Sequence, residues 1–433
     1  MAAKSASYSR PVYVVDGART PFIKARGRPG PFAAADLAVG AGRPLLARQK
    51  FAPEQLDEVI CGNAMASADE ANIARIAALR LGCGKAVPAF TVHRNCGSGM
   101  QALDSAAMNI AAGRSELVLA GGVEAMSHGP LLFSPAMVHW LADWNQAKSV
   151  GQRMKLLGQL RPPHFAPVIG LLRGLTDPVV GLNMGQTAEK VAHQFGISRQ
   201  QMDEYAARSQ RRLAHAQEQG WMDEVVPLYG PDGKVYDHDD GVRADSSAEK
   251  LAKLKPVFDR KFGKVTAGNS SQVTDGAAWL ILASEEAVQK HDLPVLGRLV
   301  ETEWAGLDPA VMGLGPVHAA TPILKRRRWG LNDVDYWEIN EAFAGQVLGC
   351  LEAWKDADYC REYLGKKDAL GQLDEERLNV DGGAIGAGHP VGASGARIVL
   401  HLLKVLRREN ARRGIATLCI GGGQGGAVLV ESA

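Results

Sequence analysis

The 433-residue chain reads as an α/β protein built from two similar halves, with a segment inserted into the first. Three observations lead there. Short apolar runs alternate with helix-period patterns through the first third and again from Pro294 onward, the rhythm of βαβ units on a mostly parallel sheet. A Gly-rich loop opening a helix, followed by an apolar strand that reaches Gly-Gly, occurs twice, ending at Leu117–Gly122 and at Thr417–Gly422. Duplication on that scale means two like halves and not a short-period solenoid. From Met126 to about Leu182 the rhythm breaks at Pro130, Pro135, Pro162, Pro163, Pro167 and Pro178, which marks an insertion or lid. The expected division is 1–125 and 264–293 for the first half, 126–263 for the inserted loop domain and 294–433 for the second half.

Taken in order, Pro11–Asp16 predicts a strand, Gly17–Phe22 a loop, Ala34–Leu46 a helix and Val59–Gly62 a short buried strand. Helix follows over Asn72–Leu81. Val87–Val92 is the next strand, and Met100, Leu103, Ala107 and Ile110 then recur at the three- and four-residue steps of one buried helix face. Leu117–Glu124 is a strand. In the inserted segment Met137, Trp140, Leu141 and Trp144 share a helical face followed by Lys148, Arg153, Lys155 and Arg161. That pattern fits a helix packed on its own protein, and equally a basic amphipathic surface for a membrane or partner. Met184–Gln219 reads as helical with Ser198 as an N-cap, 232–245 as loop, and Ala277–Ser284 as strand. Leu331–Asn340 leads as a strand end into a helix carrying Val347, Leu348 and Leu351, and Ile398–Leu406 is a helix after a glycine-dense run.

Composition excludes several classes. Apolar residues make up 46% and charged residues 22%, ordinary values for a globular chain and not those of a disordered or fibrous one. A net charge of +2 without a dense basic run argues against nucleic acid. Met1–Arg10 has no apolar h-region and no stretch reaches ~18 uninterrupted apolar residues, so the expectation is a cytoplasmic, non-spanning protein. The six cysteines lack the paired short spacings of a disulfide framework or a metal site, so no metal is expected and a special cysteine would be a chemical one.

Cys96 follows a strand and stands at a helix start, where unpaired N–H groups and the helix dipole favour a thiolate; Gly97 and Gly99 clear the approach. Taken alone it also reads as a small buried cysteine, the commoner state. His389 stands in Gly382–Gly392 with Pro390 suited to a first helical turn, and Cys419 ends a strand before Gly421, Gly422 and Gly423. Ligands of doubly wound sheets gather at the carboxyl ends of strands, so these loops can converge on one crevice. A histidine beside two thiols supplies a base and an activated nucleophile.

Asn95-Cys96-Gly97-Ser98-Gly99, Asn340-Glu341-Ala342-Phe343-Ala344, Gly386-Ala387-Gly388-His389-Pro390 and Cys419-Ile420-Gly421-Gly422-Gly423-Gln424-Gly425 resemble the four motifs of the thiolase family, in family order. The resemblance runs from Asp16 to Val430. It implies a thiolase fold, two βαβαβαββ halves in a five-layered αβαβα core with an inserted loop domain. It implies thiolytic cleavage of 3-oxoacyl-CoA, or the reverse condensation, with Cys96 as acyl acceptor, His389 activating Cys96 or the CoA thiol, and Cys419 exchanging a proton with the α-carbon. Asn340 would orient a water in one oxyanion site, and the N–H groups of Cys96 and Gly421 would form the other. Coenzyme A is then a substrate, with no permanently bound cofactor. Arg243 is expected at the adenosine phosphates, Gly268 and Ser271 along the pantetheine, and Met184, Ala342 and Phe343 along the acyl-pantetheine tunnel; Arg243 reads equally as a solvated loop charge.

Two positions depart from named branches. Asn183 stands where short-chain biosynthetic thiolases carry histidine, which points away from strict acetoacetyl specificity. The insertion, including Asn145–Arg153, and Tyr359–Lys367 resemble the thiolase subunit of fatty-acid oxidation complexes, whose mitochondrial forms carry His-Glu where Asn340-Glu341 stands here. The resemblance implies a homodimer or homotetramer, and that branch implies a hydratase/dehydrogenase partner; the 137–161 stretch adds peripheral membrane contact as a further expectation. A decarboxylating condensing enzyme of related fold would lack Cys419 in this loop, and a non-catalytic acyl-CoA binder would be expected to have lost one of Cys96, His389 and Cys419.

Overall fold

The structure, a computed structural model, describes residues 7–231 and 233–433. Part of the polar N-terminal reading (1–6), and Asp232 of the expected loop, lie outside the described residues. In the first half β1 (Ser7–Arg19), β2 (Glu58–Gly62), β3 (Ala89–Val92), β4 (Leu117–Ala125) and β5 (Thr274–Ala283) lie in the order β3-β2-β4-β5-β1. In the second, β6 (Gly297–Gly306), β7 (Tyr336–Ile339), β8 (Arg413–Ile420) and β9 (Gln424–Ser432) lie in the order β7-β8-β9-β6. A parallel bridge from Trp337 to Leu378 occupies the place that β3 has in the first half. The duplication is therefore one of pairing sense as well as order. β2·β3, β2·β4 and β7·β8 are parallel, whereas β4·β5, β5·β1, β8·β9 and β9·β6 are antiparallel, and β1 joins the halves by pairing antiparallel with β6.

The expected mostly parallel sheet is thus mixed. Helical crossovers make the parallel pairs, but β8 turns into β9 through Gly421, Gly422 and Gly423 alone, with φ of +91° and +75° at the last two. So short a connection can only return the chain antiparallel. The long insertion delivers β5 beside β4 in the same sense.

Alternation along each strand sorts residues into layers. In β4, Leu117, Leu119 and Val123 join an outer cluster with Leu37 and Leu45 of α1 (Ala34–Ala47) and Ile73 and Ala77 of α2 (Ile73–Arg80). Val118 and Ala120 face the other way, into a cluster with Leu103 and Ile110 of α3 (Ser98–Ala111). With both faces covered, all nine residues of β4 are buried, which is why the strand reads as an apolar run interrupted only by Glu124.

The inserted segment carries α4 (Pro135–Gln146) and α5 (Val150–Leu157), capped by Ser134 and Ser149, and a short antiparallel pair, Leu131–Leu132 with Val168–Ile169, where no strand is expected. Trp140 stacks on Trp144 with ring centroids 5.2 Å apart, and its Nε1 donates to Leu156 O at 2.9 Å, so this aromatic pair packs on its own neighbouring helix. Leu131, Leu132, Phe133, Val138 and Met154 remain exposed. The predicted 184–219 helix is two, α6 (Met184–Gln194) and α7 (Arg199–Glu218), broken at Gly196 (φ +65°) before the Ser198 cap.

In the second half α8 (Gly315–Arg327) and α9 (Ala344–Lys355) cover the far face, with Val317, Ile323, Val347 and Leu351 in its core. The last long helix, α10 (Val391–Arg408), starts earlier than its predicted 398 and lies with α3 between the two halves of the continuous sheet, completing an αβαβα stack.

A buried ionic chain ties α10 to β1. Arg19 contacts Asp239 at 2.7 Å and Glu224 at 3.4 Å, His401 lies 3.0 Å from Glu224 and 3.1 Å from Asp381, and Arg408 reaches Asp381 at 2.6 Å. Burial alone would drive the proton from His401; the Glu224 and Asp381 carboxylates outweigh it and raise the imidazole pKa to about 10. The folded chain then keeps a proton that the unfolded chain releases above its ordinary value near 6.5, so this stabilisation is full below 6.5 and is lost as pH rises toward 10. Urea midpoints should fall across that window, and His401→Gln should flatten the fall while lowering stability throughout. Gly122 should tolerate no side chain: a Cβ would sit 1.9 Å from Gly392 O. Gly122→Ala should cost about 3 kcal/mol or more of unfolding free energy by urea titration.

Candidate active site

Each candidate side chain sits where a strand or glycine loop hands over to a helix. Cys96 lies between β3 and α3, after Asn95, which takes a left-handed φ of +45°. Asparagine tolerates that region because its side chain can bond locally. Here Asn95 Nδ2 donates to Gly421 O at 2.8 Å, lashing the Cys96 turn to the loop after Cys419, and Asn95 Oδ1 meets His93 Nε2 at 3.0 Å. Ser98 Oγ accepts from Arg94 N at 2.9 Å and donates to Asn95 O at 2.7 Å, closing the turn.

His389 is placed by Gly388, whose φ is +106° and whose Cβ would lie 2.2 Å from Thr274 Cγ2. Its own N donates to Gln272 O at 3.1 Å. On the ring, Nδ1 lies 2.6 Å from Ser394 Oγ, and Ser394 Oγ donates to Pro390 O at 3.1 Å. With the hydroxyl proton so committed, Nδ1–H is the donor and Nε2 keeps its lone pair, facing Asn340 Nδ2 at 3.5 Å. Burial, aided by the Arg397 cation, pushes the imidazole down to about 4, so His389 is a neutral base at physiological pH. Asn340 is fully buried and its Oδ1 has no protein donor, leaving an acceptor that a water can satisfy.

The helix-start argument for a low Cys96 pKa does not hold. Burial raises the thiol, and the N–H groups of Gly421 and of Cys96 itself only oppose that rise. Cys419, 1% exposed, is pushed well above the ordinary thiol range by burial and then by Cys96 and Cys350. Both thiols therefore rest protonated.

Cys96, His389 and Cys419 line one cavity of about 380 Å³, together with Met184, Ser271, Ala342 and Phe343. Ser271 N donates to Ala342 O at 2.9 Å, which makes these two segments a single wall. Gly421 belongs to an adjoining cavity of about 210 Å³ that also contains Cys96 and Met184. Gly268 lines neither; a Cβ there would lie 2.5 Å from Leu254 Cδ1. Arg243 is exposed and outside both linings, but Gly241 two residues earlier accepts from Gln272 Nε2 at 2.9 Å, and Gln272 lines the larger cavity. Among the described residues no cluster of three or more His, Cys, Asp or Glu could hold a metal ion.

Several residues escape sequence reasoning. Glu124, fully buried, accepts from Asn63 Nδ2, Ala64 N, Met65 N and Gly392 N at 2.8–3.0 Å, so it joins both walls around Cys96 and caps α10 from another strand. Burial raises its carboxyl to about 7 against those four donors. Glu341 accepts from Ser209 Oγ at 2.6 Å, Tyr205 OH at 3.0 Å, Asn379 Nδ2 at 3.0 Å and Ile385 N at 3.2 Å, holding the Asn340 loop. Ser394 carries a local signal, five residues after His389 in the first turn of α10, and Glu341 only its place in the Asn340 motif; Glu124 carries none.

Family models described as the thiolase N-terminal and C-terminal domains match residues 12–286 and 293–432. An acetyl-CoA acetyltransferase of Allochromatium vinosum is 36% identical over 97% of this chain and 98% of its own length. A 3-ketoacyl-CoA thiolase of Yersinia enterocolitica is 37% identical over 97% and 96%. The human mitochondrial 3-ketoacyl-CoA thiolase, solved in complex with CoA, superposes with a TM-score of 0.84 at 37% identity over 99% of both chains. The acetyl-CoA acetyltransferase of Bacillus anthracis gives the same score and identity over 99% and 100%. With both domains matched and relatives this similar along nearly their whole length, the chain belongs to the thiolase family.

Proposed function

We propose that this chain cleaves 3-oxoacyl-CoA with CoA to acyl-CoA and acetyl-CoA, reversibly, through an acyl group held on Cys96. The observation that carries the reading is the convergence of two protonated thiols and one neutral histidine on a single cavity. His389 Nε2 takes the Cys96 proton, and the thiolate adds to the C3 carbonyl. The C2–C3 bond then breaks, its electron pair forming the enolate of acetyl-CoA, and the Cys419 S–H protonates C2. The Cys419 thiolate left behind takes the proton of a CoA thiol, whose thiolate attacks the Cys96 thioester; the shortened acyl-CoA leaves, and the expelled Cys96 thiolate recovers its proton from His389, restoring all three groups. Oxygen charge is met on one side by His389 and a water on Asn340, on the other by the N–H groups of Cys96 and Gly421.

Arg243 is a candidate for the CoA phosphates. Lys24 and Arg26 add to it: the Lys24 ammonium is depressed by burial and by these two neighbouring guanidinium groups, a local surplus of positive charge suited to an anion. The division into two halves with a 126–263 insertion is supported by the repeated pairing of the sheet. A homo-oligomer is supported by β3, an edge strand with half-exposed positions and an exposed Phe90. Contact of the insertion with a membrane surface or a hydratase/dehydrogenase subunit is supported by the exposed Leu131–Phe133 and Val138 beside Lys148, Arg153 and Lys155. No helix of the described residues is long and apolar enough to cross a membrane. A cytoplasmic setting is supported by six free cysteines.

Incubated with acetyl-CoA, the wild-type chain should gain one acetyl group on Cys96 by peptide mass spectrometry, and Cys96→Ala should gain none; full labelling of that variant would refute the acyl-enzyme. Cys419→Ala should lower acetoacetyl-CoA cleavage ~10²–10⁴-fold, the range for a lost general acid, while acetylation of Cys96 falls far less. Because His389 stays neutral down to about 4, the acid limb of kcat/KM should lie below pH 5; a limb at 6.5 would contradict its burial.

A further inference from the structure

The two cavities meet at Cys96 and differ in chemistry. The larger holds His389 and Cys419; the smaller, about 210 Å³, holds neither and is walled by Met65, Leu171, Gly174, Leu175, Pro178 and Val391. Its polar side chains bond within the wall. Asp177 Oδ1 accepts from Val179 N at 2.8 Å and Val180 N at 3.1 Å, Thr176 Oγ1 donates to Leu172 O at 2.9 Å, and His93 and Asn95 bond to each other. Apart from the Cys96 and Gly421 N–H groups assigned to the oxyanion, the walls are mostly apolar side chains with these bonded polar ones between them, and what fits is hydrocarbon.

Resting on the thiolytic reading, the geometry of the reaction assigns this space. C2 must face Cys419 and the thioester must reach back along the larger cavity, so with C3 bonded to Cys96 the rest of the acyl chain has to leave on the other side. We propose that the smaller cavity receives the acyl chain beyond C3, making longer 3-oxoacyl-CoA thioesters the preferred substrates, and that the 170–178 segment sets the chain length. At about 30 Å³ per water-sized group the space takes roughly seven of them. Each methylene buried there strengthens binding roughly fourfold.

Gly174 offers the test. It ends the short helix Gly170–Gly174 on the cavity's lining, and a Cβ there meets nothing within 4 Å, so Gly174→Phe adds a ring at the cavity wall without a backbone clash. Leu171→Trp fills the same space from the neighbouring turn and serves if the first variant unfolds by circular dichroism. Wild-type kcat/KM for 3-oxodecanoyl-CoA should exceed that for acetoacetyl-CoA at least tenfold, and either variant should cut that ratio at least tenfold. A wild type that prefers acetoacetyl-CoA, or a ratio unmoved by both variants, would overturn the assignment and leave the thiolytic reading standing. No cleavage of either substrate by the wild type would overturn the thiolytic reading, and the assignment with it.

Discussion

Everything at the catalytic centre depends on how closely the two central helices and the strand ends beside them can approach. A Cβ on Gly99 of α3 would lie 2.7 Å from Gly392 O of α10, one on Gly395 would lie 2.6 Å from Met100 N, and one on Gly62 would fall 2.3 Å from the Ser98 carbonyl carbon. These are backbone contacts, which cannot shift as a flexible side chain can. Glycine here is a matter of room: helices from opposite halves meet main chain to main chain, and their N-terminal loops, bearing Cys96 and His389, are brought to one cavity. Glu124 then seals the junction from the end of β4.

That packing also decides the electrostatics. A cysteine at a helix start is ordinarily acidified by the dipole, but the same close packing buries His389 and Cys419 and leaves Cys96 half-buried at the cavity wall, and desolvation outweighs the opposing N–H groups. All three groups rest neutral. A neutral resting site suits a reaction whose charges exist only between bond-making steps, since donors held at fixed positions are strongest where water is excluded. The ionic chain through Arg19, His401 and Asp381 has the opposite character: its charges are permanent because each is partnered.

The two halves are alike in topology and unlike in use. The first half's glycine loop presents Cys96, the proposed nucleophile, and the second half's His389, the proposed base, while the end of β8 presents the second thiol, Cys419. The insertion breaks the symmetry further. It supplies the roof over Cys96, through Leu171, Leu175 and Met184, that neither half could build alone.

Local sequence carries the strand–helix rhythm, the repeated half and the glycine loops in which Cys96, Asn340, His389 and Cys419 stand, because glycine, proline and apolar period act over a few neighbouring residues. It could not determine that the sheet is mixed, that Asn95 adopts a left-handed turn tied to Gly421, or that Glu124 caps a helix 268 residues away. Those outcomes rest on contacts between distant segments, which leave no local signature. Protonation is the clearest case: one short stretch around Cys96 predicts an acidified thiol, and only the assembled fold, by burying it, decides otherwise.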